Sequence, residues 1–384
     1  MPATRFKNTL YRLMLPFLSP SCGTHPVSSV SGHELIRDHE FVHLLRRHHV
    51  LGSAVLLSSG QNSSLICTSS ESPRHQASPD TLFRVASITK MATALLCMRL
   101  ADQQILDLDL PVKNYLGSNA DCTAFDNITL IHLLSHTSGL IDPPGLESSL
   151  ENHIPFTDLL SSAFHYTPGS SFHYSNFGYG LIGCVMESVL KKPVSDIFRE
   201  FLFIPLHMKA TLEGCSLPSD KIMPVTRILP YHQGNDMILT PLGSRPLTEP
   251  DPLRHYGHTA GSMYTDILSL NKLLNVFIRN DDHFISDHSV GCMCKEHASY
   301  GSLSPTLSYG LGLLRINDAS LSDGMILGHQ GFAYGCADGA FWEEKTGRVL
   351  IMLNGGCSEA RIGRLGLLNR DLLRWAFRKE LPLW

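Results

Sequence analysis

A serine stands three residues ahead of a lysine at the mouth of an apolar helical run, Ser87-Ile88-Thr89-Lys90. On a helix that spacing puts a hydroxyl and an amine on one face, about 5–6 Å apart at Cβ. Serine is a weak nucleophile until a nearby base takes its proton. Lysine serves as that base when neutral, and a dry site or a neighbouring cation lowers its pKa toward that state. Farther along come Tyr174-Ser175-Asn176 and His329-Gln330-Gly331-Phe332. Tyr174 supplies a phenol as relay or second base. From a starting pKa of about 10 it needs positive neighbours, and Lys90 and His329 are the candidates. Asn176, Gln330, Gly331 and Phe332 are the candidate substrate contacts. The Asn176 amide suits a substrate carbonyl or amide. The N–H groups of Ser87, at a helix start, and of Phe332 are candidate donors to an oxyanion. The chemistry is acyl transfer through an acyl-serine.

No single piece carries this reading. A second Ser-x-x-Lys, Ser269-Leu270-Asn271-Lys272, lies within an amphipathic helix and reads as a solvated face. Tyr174-Ser175-Asn176 alone is a turn into the helix at Phe177, and a lone histidine is more often structural than catalytic. The ordered set carries the weight. No Gly-x-Ser-x-Gly elbow occurs, which counts against an α/β-hydrolase. Despite 20 histidines there is no His-Glu-x-x-His, which counts against a zinc hydrolase.

The elements that must position these residues read as follows. A helix is expected from Glu34 to His48, then a buried strand from Gly52 to Leu57 and a return strand from Ser64 to Cys67. From Ser87, the residues Ile88, Met91, Ala92, Leu95 and Leu96 form a core-facing stripe. Short helical signals follow at Leu130–Leu134 and Phe177–Leu190, the latter with Gly178, Gly180 and Gly183 at close-packing positions. Residues 216–256 hold several prolines and look irregular; with the loop near Tyr334 they are expected to wall the pocket. A helix over 266–277 precedes a strand from Tyr309 to Leu314. A hairpin pairs Gly339–Glu343 with Arg348–Leu353, and a closing helix spans Glu359–Arg378. Strands at both ends around a helical middle predict an α+β fold: an antiparallel sheet flanked by helices (33–86 and 257–384) with an inserted, mainly helical lobe (87–256).

The chain has 384 residues, 43% apolar and 17% charged, which suits a folded domain with a sizeable core. A net charge of −4 without a basic stripe counts against nucleic acid as a partner. No apolar span is long enough to cross a bilayer. Residues 1–32 read as a poorly ordered leader: Arg12 and Pro16 interrupt the apolar stretch Leu10–Leu18, so the cytoplasm is favoured over export. The ten cysteines show no disulfide framework; Cys97 and Cys184 read as small buried hydrophobes. Cys292-Met293-Cys294 with His297 is a weak metal pattern, and no metal or cofactor is expected.

Here the chain resembles the serine β-lactamase-related family: class C β-lactamases, D-alanyl-D-alanine carboxypeptidases, related esterases and D-aminopeptidases. The likeness runs from about residue 34 to the end. It includes Phe83-Arg84-Val85-Ala86-Ser87-Ile88-Thr89-Lys90, the Ile128–Leu140 stretch, Pro168-Gly169 followed by Phe172–Tyr179, Phe203–Met208, Ala260–Tyr264 and Gly328-His329-Gln330-Gly331. The resemblance implies a β-lactamase/transpeptidase-like fold with Ser87 as acylated nucleophile and Lys90 with Tyr174 as base pair. His329 would be the counterpart of the third-motif lysine, with His136 and Ser138 as structural residues. Lys345-Thr346-Gly347 also spells that third motif, but reads as the tip of the hairpin. Gln330 stands where threonine is common, which puts carboxylate recognition in doubt. A peptidase or esterase acting on a small-molecule or short-peptide acyl substrate is therefore preferred over a β-lactamase proper. A low-turnover binding or sensing protein is the alternative from another class, and the intact Ser87, Lys90 and Tyr174 count against it. Coupled Lys90, Tyr174 and His329 predict a bell-shaped pH profile.

Overall fold

The computed structural model describes residues 25–30, 39–60, 62–69, 75–117, 123–227, 232–234, 246–333 and 335–378. Residues 1–24 of the expected leader, the start of the first helix, Tyr334 and parts of the 216–256 stretch lie outside them.

Nine strands build one antiparallel sheet: β1 His25–Val30, β2 Ser53–Ser59, β3 Asn62–Ser69, β4 Ala298–Ser299, β5 Leu307–Tyr309, β6 Leu314–Ile316, β7 Ile326–Ala333, β8 Cys336–Glu343 and β9 Val349–Asn354. Their order is β1-β3-β2-β9-β8-β7-β6-β5-β4, so the C-terminal strand β9 joins the N-terminal hairpin to the rest. The sheet is thus assembled from both ends of the chain, as expected. Strand β1 falls within the segment expected to be unstructured and pairs with β3 instead. The expected Tyr309–Leu314 strand is two strands, because Gly312, at φ +75°, turns the chain between β5 and β6. A Cβ on Gly312 would sit 2.3 Å from Ala94 Cβ, so only glycine lets this turn lie against the helical lobe.

The helices that matter to the site are α1 His39–Arg47, α2 Thr89–Asp102, α3 Leu130–Leu134, α4 Asn176–Leu190, α5 Ile267–Ile278 and α6 Leu367–Arg378. The expected closing helix starts later, because a small hairpin, Arg361–Ile362 with Leu365–Gly366, precedes it. Strands β2 and β9 carry unbroken apolar runs, Ala54–Leu57 and Val349–Leu353, because both faces are covered. On one face Val55, Leu57, Leu350 and Met352 pack with Phe41, Leu372 and Trp375 of α1 and α6; the Phe41 and Trp375 rings lie 5.0 Å apart. On the other, Ala54, Leu56, Ile351 and Leu353 join the larger core of α2, α4 and α5. There Phe277 stacks on Trp342 at 5.1 Å. Among the described residues no helix is long and apolar enough to cross a membrane.

Two sequence readings are decided here. Lys345-Thr346-Gly347 is a hairpin tip: the Glu343 carboxylate accepts from the Lys345 and Thr346 N–H groups, and Gly347 has φ +66°. The second Ser-x-x-Lys is not a solvated face. Ser269 is buried and its hydroxyl accepts from the Lys209 N–H at 2.8 Å, while Lys272 reaches the His207 carbonyl. His297 contacts the Cys292 carbonyl oxygen through Nε2, so that nitrogen serves the backbone.

Candidate active site

Ser87 sits on a tight turn, Ala86–Ile88, that runs directly into α2. Thr89, inside the motif, pins the turn: its hydroxyl donates to the Ala86 carbonyl at 2.6 Å and accepts from the Met263 N–H at 3.1 Å. Ala86 is held at φ +46°, a conformation costing a non-glycine residue roughly 1–3 kcal/mol unless its surroundings impose it. The imposing neighbour is β7. Pairing of β7 with β6 stops at Gly328, so from His329 onward this edge faces the Ser87 turn. Gly331 makes the approach possible, since a Cβ there would lie 2.3 Å from the Val85 carbonyl oxygen.

Lys90 points back at the serine from one helical turn on. Its side chain is 0% exposed, and Nζ lies 3.3 Å from Ser87 Oγ, 2.8 Å from Asn176 Oδ1 and 2.7 Å from the Ala260 carbonyl oxygen. Burial lowers its pKa to about 7, opposed by the Asp142 carboxylate. As a neutral amine it spends two N–H donors on Asn176 and Ala260. Its lone pair then faces the serine hydroxyl.

Asn176 is placed by Asp142, a residue that carries no sequence signal. Asp142 Oδ2 accepts from Asn176 Nδ2 at 2.7 Å, while Oδ1 accepts from the Phe177 N–H and the Ser175 hydroxyl. The carboxylate thereby satisfies the N-terminus of α4, where a negative charge is favoured, and orients the Asn176 oxygen toward Lys90. Asp142 lies 34 residues before its partner, too far for any capping pattern to reveal it. The Asn176 amide is therefore occupied at both ends, by Lys90 and Asp142.

Tyr174 lines the same cleft as Ser87, and Lys90 Nζ lies 4.9 Å from its ring centre. Burial raises the pKa of its phenol well above the ordinary tyrosine value, against the lowering effect of Ser87. The two cations expected to lower it do not prevail, for His329 is no cation. Its Nδ1 lies 2.7 Å from the Gln330 carbonyl oxygen, which only accepts, so Nδ1 carries the proton. Nε2 then accepts from the Tyr309 hydroxyl at 2.9 Å. Burial, and secondarily Lys90, push the His329 pKa down to about 3. Tyr179 completes this side, donating to the Leu134 carbonyl at 2.7 Å.

Gln330 and Phe332 face a cleft of about 460 Å³ together with Ser87, Tyr174, Asn176 and His329. The Gln330 amide is used by the small hairpin: Nε2 donates to the Arg364 carbonyl at 2.5 Å and Oε1 accepts from the Gly366 N–H at 3.1 Å. The Arg361 guanidinium stacks over the Phe332 ring at 3.7 Å. Leu146, Leu150 and Tyr256 add an apolar wall, and Arg361 and Arg364 a basic rim. Tyr256 belongs to the 216–256 stretch expected to wall the pocket, whereas Leu146, Leu150, Arg361 and Arg364 lie outside it and gave no signal in the sequence. Among the described residues no group of three or more His, Cys, Asp or Glu side chains is placed to hold a metal.

Comparison with known proteins bears on the family and the fold. The family described as Beta-lactamase matches residues 38–354. "Protein flp" of Staphylococcus aureus (strain MRSA252) is 32% identical over 149 residues, which cover 35% of this chain and 29% of that protein. The "D-alanyl-D-alanine-carboxypeptidase/endopeptidase AmpH" of Escherichia coli (strain K12) is 29% identical over 144 residues, covering 34% of this chain and 37% of the relative. The matched region thus spans about a third of these curated relatives' length. The solved structure of a D-amino acid amidase from Ochrobactrum anthropi SV3 superposes with a TM-score of 0.67 at 23% identity, over 87% of this chain and 94% of the other. That of EstCE1, "a hydrolase with promiscuous acyltransferase activity", gives 0.69 at 20% identity, over 96% and 100%. Both likenesses concern the fold.

Proposed function

The chain belongs to the β-lactamase family, and on that premise we propose that it is a serine hydrolase that cleaves an ester or amide through a Ser87 acyl-enzyme. The observation that carries this reading is the buried Lys90 amine, 3.3 Å from Ser87 Oγ and with a pKa near neutrality. Lys90 takes the Ser87 proton as the oxygen attacks the substrate carbonyl. The N–H groups of Ser87 and Phe332 stabilise the oxyanion that forms. Tyr174, kept protonated by burial, gives its proton to the leaving alcohol or amine as the carbon–oxygen or carbon–nitrogen bond breaks. The Lys90 ammonium restores that proton to the phenolate. Water then attacks the acyl-enzyme, its proton passing to Lys90 and from there to Ser87 Oγ, which leaves as the free hydroxyl while Lys90 returns to the neutral amine. His329 stays neutral and holds the β7 edge rather than transferring protons.

The substrate class is a small-molecule or short-peptide acyl compound, for which a cleft of about 460 Å³ has room. A peptidase or esterase is preferred over a β-lactamase proper, since the Gln330 amide is engaged by the hairpin backbone.

Intact-mass spectrometry after exposure to short acyl esters, a D-Ala-D-Ala peptide and a penicillin tests the reading. An acyl adduct on the wild type and none on Ser87→Ala is expected. Equal turnover of a chromogenic ester by both proteins would overturn it.

A further inference from the structure

Two buried imidazoles flank the reacting groups, and only that of His329 has both nitrogens engaged. The other, His136, is 1% exposed and adopts φ +59°. It takes hold of the chain on both sides of Tyr174. Its carbonyl oxygen accepts from the His173 N–H at 2.8 Å, and its Nδ1 accepts from the Ser175 N–H at 3.1 Å. Because a backbone N–H can only donate, Nδ1 is unprotonated and the neutral ring carries its proton on Nε2. That Nε2 is buried without a hydrogen-bond partner. The ring lies 4.3 Å from the Tyr174 ring at an interplanar angle of 34°, and 4.8 and 4.9 Å from those of Tyr179 and Tyr309. A loop holder would need only the backbone contact.

We propose that His136 is a positioning residue for Tyr174: its two acceptors fix the backbone on either side of the phenol, and its ring sets the phenol plane against Ser87. The proposal rests on the acyl-enzyme reading, in which Tyr174 transfers a proton. Removing the clamp lets the phenol drift from the Ser87 hydroxyl while the walls of the cleft stay in place. The loss therefore appears in kcat and not in KM.

Three variants test this on a neutral chromogenic ester. His136→Asn tolerates the positive φ and keeps an acceptor at the Nδ1 position but loses the ring. His136→Phe keeps a ring but leaves the Ser175 N–H without its acceptor. The expected order is a loss of about tenfold in kcat for Asn and about a hundredfold for Phe, with KM within about twofold of wild type in both. In a Tyr174→Phe background the same substitutions cost nothing further, because the residue they act through is gone. Wild-type kcat in His136→Asn, a loss confined to KM, or a loss that persists in the Tyr174→Phe background would each overturn the proposal. If His136→Phe does not fold, the Asn variant alone decides between these outcomes. Ser87→Ala keeps the two readings apart: Ser87-dependent turnover with an inert His136 sinks only the positioning role.

Discussion

Two hydrogen-bonded chains border the cleft at Ser87, and they differ in charge. On the lobe side Ser87, Lys90, Asn176 and Asp142 form a chain that ends in a carboxylate. On the sheet side His329 and Tyr309 are joined within an aromatic cluster that includes Tyr179 and His136. The first chain keeps a titratable amine near its midpoint, because burial and the Asp142 charge oppose one another. The second is neutral at every link, because burial there meets no compensating carboxylate. In the proposed mechanism proton transfer belongs to the charged chain, and shape to the neutral one. Charges were expected on both sides, with His329 as a cation. A buried imidazole with one nitrogen donating to a carbonyl and the other accepting from a phenol gains nothing from a second proton.

Cutting the charged chain at its amine gives the largest expected effect. Lys90→Met keeps the stem and removes the base, and kcat/KM should fall by about a thousandfold. Lys90→Arg should fall as far, because a guanidinium does not become neutral. Initial-rate kinetics check both.

The next effect is at Asp142. Asp142→Ala abandons the Phe177 N–H, the Ser175 hydroxyl and the Asn176 amide together. We expect a loss of about 2 kcal/mol in stability, read by denaturant unfolding. A fall in kcat/KM of about tenfold should accompany it, as Asn176 loses its orientation.

The pH profile sharpens the contrast. With Lys90 near 7, the protonated amine cannot accept the Ser87 proton, so kcat/KM should rise about tenfold per pH unit below about 7 and then level. A decline should come only at strongly alkaline pH, since the Tyr174 phenol is raised. His329, at about 3, adds no inflection near neutrality. A second inflection between those limits that disappears in a His329 variant would return the imidazole to proton transfer.

The smallest effect is expected in the neutral chain. Tyr309→Phe leaves His329 Nε2 without its donor, at about 1–2 kcal/mol in stability and only severalfold in kcat. If it cost as much catalysis as Lys90→Met, the division between the two chains would fail.

Much of this was legible in the order of residues. The Ser87–Lys90 spacing is a helix-local fact, and so are the apolar stripe of α2 and the β8–β9 hairpin with its Lys345–Gly347 tip. Strand β1 was missed because its polar residues carry no strand periodicity. The β5–β6 turn was missed because two glycines inside an apolar run read equally as strand. Asp142 and Tyr309 gave no signal of a site role. An aspartate before two prolines looks like a turn, and a tyrosine in an apolar run looks like core.

From its order of residues alone this protein determined which groups could react: a hydroxyl, an amine, a phenol and an imidazole, each within a short local pattern set by backbone periodicity. Tertiary structure alone decided their protonation. Whether Lys90 is a usable base, whether Tyr174 keeps its proton and whether His329 carries charge depend on burial and on partners 20 to 170 residues away, and these exist only once the lobe closes on the sheet.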